Sequence, residues 1–421
     1  MKTGVHRFAL VVCLLLAVAF ALGGAHAPSA HADPADQPQL TVLPGGLSVV
    51  ANQHADADTV SIAVSVRAGS RDEAPSFRGG AHWLEHLHFL GSQRYPSQAA
   101  IFSAIAGVGG SIDATTGNET TSFYVTVPAS AFTTALDVMS DIMINPLFPP
   151  AAAEQEKSVV IDEITGESSP LTSAAYQALG EQLVGTVVHD PGATPQSVTA
   201  LKLDDALAFS AQHYVASNMA VGVVGPLPTD YVTAAVASAF AGLPTGQPTM
   251  RTLPLAQDSL RLQAGSSSLV FVGQRIPGVT SPDAAALNVL DAILDVPGTR
   301  IADAIEAGTT TYGGGTYIVQ YSDAGLWTAY GHGDPREVLS IVQQQLRLLQ
   351  STPVPADELN AATSYLAGRV LINNERSSAQ AIRLALSGLY GTPATAQQWA
   401  DQILAVTSAD VQRVAQTYFN P

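Results

Sequence analysis

Apolar and polar side chains alternate from Val60 to Arg67, with Val60, Ile62, Val64 and Val66 on one side and Ser61, Ala63, Ser65 and Arg67 on the other. That period of two predicts a half-buried strand. A first strand over residues 47–51 follows the turn Pro44-Gly45-Gly46. The period then lengthens to that of a helix over residues 80–90 and 96–108, with breaks at Gly91-Ser92 and Gly109-Gly110. Residues 111–116 and 120–127 predict a hairpin, with Phe123, Val125 and Val127 on one face and Tyr124 on the other. Helical patterns cover 128–144, 150–166 and on to about 184, then 203–214, and a buried strand covers 219–225. Strand pairs and helices in this order point to an α+β architecture rather than a regular βαβα alternation.

Pro244, Gly246, Pro248 and Pro254 fall in a stretch without periodicity. It predicts a linker over residues 243–257 between a first domain, 33–242, and a second, 258–421. Beyond it the order restarts, with a strand over 268–274, a helix over 283–294 and strands near 316–321 and 326–330. Helices follow over 335–349, 356–372, 378–390, 394–404 and 408–418. The 203–214 and 408–418 helices share an acidic start and an aromatic end before an Asn. The two halves therefore read as weak repeats of one α+β unit. After Tyr214 the first half runs on into a strand, whereas only Phe419-Asn420-Pro421 follow Tyr418, so the second half is expected to lack a final strand.

Composition adds export. A basic start with Lys2 and Arg7, an apolar run from Phe8 to about Leu22, and Ala30-His31-Ala32 before Asp33 describe a secretory signal peptide cleaved after Ala32. The expected location is secreted or periplasmic, without stable membrane insertion, since the run is short for a span. The single cysteine, Cys13, lies inside that leader, so the mature chain would use no disulfides. Loss of Lys2 and Arg7 takes the net charge from −17 to −19. Such an acidic protein is a poor partner for nucleic acid. With 47% hydrophobic and 13% charged residues the composition is nonetheless globular.

The chemistry concentrates in Gly80-Ala81-His82-Trp83-Leu84-Glu85-His86-Leu87-His88-Phe89-Leu90. On a helix His82, Glu85 and His86 share one face, while Trp83, Leu84, Leu87 and Leu90 cover the other. Two imidazoles one turn apart can grip one Zn²⁺, and a carboxylate beside them can take a proton from water. This is the H-x-x-E-H pattern of the inverzincins. The ordinary alternative is an amphipathic helix with two solvated histidines. His88 points off this face and reads as structural, and no role falls to His189, His213 or His332. A catalytic zinc usually has three protein ligands. The candidate helix for the third carries Glu156 and Glu163, two turns apart on one face beside Val159-Val160. A solvated acidic face is the common alternative there.

These residues carry a family resemblance. Val66-Arg67-Ala68-Gly69-Ser70-Arg71-Asp72-Glu73, His82-Trp83-Leu84-Glu85-His86, Phe89-Leu90-Gly91-Ser92-Gln93-Arg94-Tyr95-Pro96 and Gly109-Gly110-Ser111-Ile112-Asp113-Ala114-Thr115-Thr116 resemble the pitrilysin-like (insulinase, M16) zinc peptidases. The two-domain forms, such as mitochondrial processing peptidase subunits and bacterial relatives, are most similar. The family's third ligand follows its second histidine at a spacing that lands on Glu163. The resemblance implies two similar domains, each a mixed sheet flanked by helices, closing as a clam-like pair. It implies one Zn²⁺ per chain on His82, His86 and Glu163, with Glu85 as general base and Glu156 orienting a ligand histidine. Ala114, Thr115 and Thr116 would offer an edge strand to an extended peptide or unfolded polypeptide.

The match departs in the second half. Active members there place an Arg and a Tyr, spaced R-x6-Y, that bind substrate and stabilise the oxyanion. Tyr312 matches the tyrosine and is the remaining catalytic candidate, but the arginine position falls on Glu306 once one residue of the spacing is deleted. Arg300 matches a different, upstream arginine. Asp113 stands where the family has Asn. The expectation is an exported zinc metalloendopeptidase, the zinc-bearing chain of a homo- or heterodimer; in a heterodimer the other chain would supply the Arg/Tyr pair. The alternative is a non-catalytic peptide-binding or assembly subunit.

Overall fold

The protein is described by a computed structural model covering residues 37–166, 178–179, 182–183, 193–247, 259–263, 269–295, 300–308, 311–392 and 394–419. The expected leader at 1–32, most of the expected linker, and His189 lie outside the described residues.

In the first half the chain runs through β1 (Gln39–Val42), β2 (Ser48–Gln53), β3 (Thr59–Val66), α1 (Gly80–His88) and α2 (Gln98–Ala106). It continues as β4 (Ser111–Thr116), β5 (Thr121–Pro128), α3 (Phe132–Ile144), α4 (Pro150–Gly166), α5 (Pro195–Ala200), α6 (Leu203–His213), β6 (Met219–Gly225) and α7 (Thr229–Ala239). The second half holds β7 (Ser259–Gln263), β8 (Leu269–Pro277), α8 (Ala284–Asp295), α9 (Arg300–Glu306), β9 (Tyr312–Gln320) and β10 (Ala324–His332). It ends with α10 (Pro335–Ser351), α11 (Ala356–Asn373), α12 (Ser377–Tyr390), α13 (Ala396–Leu404) and α14 (Ser408–Tyr418). Thr395 and Thr407 cap α13 and α14 in reciprocal boxes with Gln398 and Asp410.

Each half builds its own sheet, in the order β1-β2-β6-β3-β5-β4 and β7-β8-β10-β9. β4 and β9 are edge strands. β6 enters the first sheet parallel to β2 and antiparallel to β3. In the second sheet, among the described residues, no strand follows α14, and β7 lies antiparallel against β8 in the place β6 takes against β3. The α+β expectation, with a mixed first sheet, therefore holds. β9 starts at Tyr312, four residues earlier than the pattern predicts. The run Gly313-Gly314-Gly315 has no side chains to show a period, yet Gly314 and Gly315 pair with Gly331 and Tyr330.

β3 corrects the half-buried expectation, because both its faces are buried. Val60, Ile62, Val64 and Val66 join the main core under α1 and α3. The opposite face is covered by α12 from the second half. Ala63, Val50, Ala220 and Val224 pack on Ala381, Leu384 and Ala385, and the Ser61 hydroxyl donates to Ser377 Oγ at 2.8 Å. A Cβ on Gly222 would stand 2.0 Å from Ala381 O, so the helix backbone lies directly on β6. The exchange is reciprocal: Leu179 and Leu183 of the first half pack on Leu269, Phe271 and Leu326 of the second sheet. A serine-rich face looks solvated in sequence, but close helix approach is one of its uses.

Candidate metal centre

α1 is held at its N-terminus and along its back. Its first N–H groups find a buried acceptor, since Glu73 takes hydrogen bonds from Gly79 N at 2.9 Å and Ala81 N at 2.8 Å. Burial pushes the Glu73 carboxyl up to about 8 against those donors. Trp83 Nε1 donates to Ala153 O at 3.0 Å, which fixes α4 beside α1. Lys157 lies over the Trp83 ring and donates to Leu201 O at 2.7 Å. Two packed helices thus set the spacing between the histidines and the acids.

At that seam His82, His86 and Glu163 bring one ligand atom each together. His82 Nε2 and His86 Nε2 are 3.2 Å apart, and Glu163 Oε2 stands 3.2 Å from the first and 3.4 Å from the second. Donors at about 2.0–2.1 Å from a tetrahedral Zn²⁺ are roughly 3.3 Å from one another. The residues present fit that ion. His86 Nδ1 faces Glu156 Oε1 at 2.9 Å. A proton on Nδ1, donated to Glu156, leaves the Nε2 lone pair aimed at the other two donors. Burial and the neighbouring His86 hold His82 below the usual imidazole range, against the pull of Glu163.

Glu85 is 7% exposed and sits beside this triangle. Its Oε2 accepts from Thr116 Oγ1 at 2.5 Å. Burial pushes it up to about 7, while the Thr116 hydroxyl pulls it down. The surrounding cleft encloses about 600 Å³, with Phe89, Phe102, Val159 and Ile164 as its apolar wall. Asp113, Ala114, Thr115 and Thr116 of edge strand β4 form one side. Asp113 accepts from Tyr124 OH at 3.3 Å.

The structure therefore brings together His82, Glu85, His86, Ala114, Thr115, Thr116, Glu156 and Glu163. Tyr312 opens β9 opposite His332, and its side chain lies outside the described residues. Glu306 is exposed at the end of α9. Arg300 is engaged elsewhere, in a two-pronged pair with Glu358 at 2.7 and 2.8 Å. His88 is buried, stacked on Tyr214 and edge-on to Phe123 and Phe148, with Nδ1 at 2.8 Å from Ile142 O. Sequence reasoning missed what Arg71 and Glu73 do, although two charges just ahead of an apolar helix were a signal.

The family profile described as insulinase (peptidase family M16) matches residues 48–186, and one described as peptidase M16 inactive domain matches 200–366. An uncharacterized zinc protease of Streptomyces coelicolor is 27% identical over 402 residues, covering 89% of this chain and 86% of its own. The mitochondrial-processing peptidase subunit beta of Lentinula edodes is 24% identical, covering 90% of this chain and 87% of its own. Among solved structures, a protease from Helicobacter pylori shares the fold with a TM-score of 0.77 at 20% identity, over 91% of this chain and 97% of that one.

Proposed function

Because the chain belongs to the insulinase family, peptidase family M16, we propose that it is an exported zinc-dependent metalloendopeptidase acting on peptides or unfolded segments. The observation that carries this reading is the triangle of His82, His86 and Glu163 donors beside a buried carboxylate and an edge strand. One Zn²⁺ per chain, held by those three residues, would supply Lewis-acid polarisation of the scissile carbonyl and acidify a water. Glu85 takes the proton of the attacking water and passes it to the leaving amine nitrogen, a task suited to a carboxyl poised near neutrality. Glu156 fixes the His86 tautomer. The free side of β4 pairs with the substrate backbone, which selects extended chains.

Export rests on the leader sequence, and no helix of the described residues is long and apolar enough to cross a membrane. A dimer with an Arg-bearing chain is proposed from Glu306 at the family's arginine position. The test is metal content and hydrolysis of an internally quenched peptide by the mature chain and by Glu85→Gln. Stoichiometric zinc with activity lost in the variant is the expected result. Zinc with an inactive parent would move the assignment to a subunit awaiting its partner. Absence of zinc binding would move it to the peptide-binding or assembly subunit.

A further inference from the structure

The edge strand of the cleft is braced from behind. Loop 69–72 lies along the turn that joins β4 to β5, with Ser70 N donating to Gly117 O at 3.2 Å and Arg71 N to Asn118 O at 2.9 Å. A Cβ on Gly69 would stand 2.4 Å from Gly117 O, so the two backbones are in direct contact. The Arg71 side chain then crosses to the second half. Its Nη1 donates to Glu119 Oε1 at 2.5 Å and to Asp323 Oδ1 at 2.9 Å, and its Nη2 to Asp323 Oδ2 at 3.2 Å. The guanidinium lies 4.7 Å over the Tyr321 ring. Glu119 completes the join, accepting from Ser322 N at 2.7 Å and Ser322 Oγ at 2.8 Å. Tyr321, Ser322 and Asp323 form the turn between β9 and β10. One turn from each half is thus fastened around a guanidinium that is itself buried. The fork and the ring stacking both require Arg rather than Lys.

The fastening sits next to the chemistry. Thr116, which donates to Glu85, is the last residue of β4 and directly precedes the fastened turn. We propose that Arg71 is a positioning residue for the cleft, joining the β4–β5 turn to the β9–β10 turn and so setting where the edge strand and Thr116 stand against Glu85. The proposal rests on the peptidase reading of that cleft. On this view the second half serves the cleft as a brace, independently of any side chain it lends to substrate.

The test compares the zinc-loaded full chain with Arg71→Lys, Asp323→Asn and Asp323→Glu. Arg71 is buried and its loss risks the fold, whereas the Asp323 side chain is 58% exposed, so Asp323→Asn is the safer variant. The expected result is unchanged zinc stoichiometry and faster amide exchange confined to residues 111–128. A misplaced catalytic geometry then lowers kcat on an internally quenched mixed-sequence decapeptide by about tenfold or more. Asp323→Glu restores most of it. Unchanged exchange and kcat in Arg71→Lys and Asp323→Asn would overturn the proposal. So would loss of bound zinc alongside kcat, since the join would then be part of the metal site's own stability. An inactive parent would overturn the peptidase reading alone, because the exchange comparison needs no substrate.

Discussion

The two halves build the same seam and use it differently. In each, the helix after an inner strand lies against the edge strand of its sheet, α1 against β4 and α8 against β9. In the first half this seam is open, a cleft of about 600 Å³ with His82, Glu85 and His86 facing Thr116. In the second half the polar groups of the helix are spent on the strand. Asp295 Oδ1 accepts from Thr316 N at 2.6 Å, and Asn288 Nδ2 donates to Gln320 Oε1 at 2.7 Å. One fold unit therefore presents converging metal-ligating side chains in one copy and strand-pairing polar groups in the other, so the side chains rather than the fold set what each seam can do.

The largest test of that difference is at the ligands. Glu163→Gln leaves two imidazoles where three donors converge. Zinc affinity, read by competition with a chromogenic chelator, should fall by on the order of a thousandfold or more. Glu156→Gln should cost only ~10–100-fold, as expected for a partner that orients a ligand rather than holding the ion. Equal losses would erase the distinction between holding and orienting.

Two buried groups, one from each half, carry pH dependence of opposite sign. Burial holds His88 at about 4, below its ordinary 6.5. Between those values the unfolded chain binds more protons, so stability present above pH 6.5 is lost as pH falls towards 4. Burial pushes Asp291 of the second half up from 3.8 to about 7. There the native state binds more protons, so its contribution is present below pH 3.8 and is lost as pH rises through 7. Each effect is roughly 3–4 kcal/mol at most. Denaturant titrations from pH 4 to 8 should show the acid limb flattened in His88→Asn and the neutral limb flattened in Asp291→Asn. Matching profiles for the two variants would refute the assignment of opposite signs.

A third, smaller effect probes the exchange of helices between the halves. Leu384 is 1% exposed on α12, against Val50, Ala63, Ala220 and Val224 of the first sheet. Leu384→Ala should destabilise by about 3 kcal/mol. Thermal melts should move as one transition, because the helix belongs by sequence to one half and by packing to the other. Two separating transitions would mean that the halves fold independently.

Much of this was legible in the residues. H-x-x-E-H places two imidazoles on one helical face without any tertiary knowledge, and Glu156 and Glu163 share a face for the same reason. Those patterns are local, and local patterns survive folding. What stayed hidden depends on distant partners. The Ser61 face of β3 looked solvated because its cover, α12, lies some three hundred positions away. The tasks of Glu73 and Arg71 were signalled only by two charges ahead of an apolar helix, because an acid or base in a loop has no period to betray its partner. β9 was cut short by glycines that carry no side-chain signal.

The smallest effect concerns the second half's arginine. Arg300 lies upstream of Tyr312, which makes it tempting as a surrogate for the arginine whose proposed position falls on Glu306. Its guanidinium is already held by both oxygens of Glu358 on α11, and both side chains are partly buried. A group so engaged must break two charge-assisted hydrogen bonds before it can reach substrate. Arg300→Gln should therefore cost about 1 kcal/mol of stability while leaving kcat and KM within about twofold of the parent. A kcat loss without a stability loss would show that the second half reaches the cleft through this side chain, and that its seam is less idle than its packing implies.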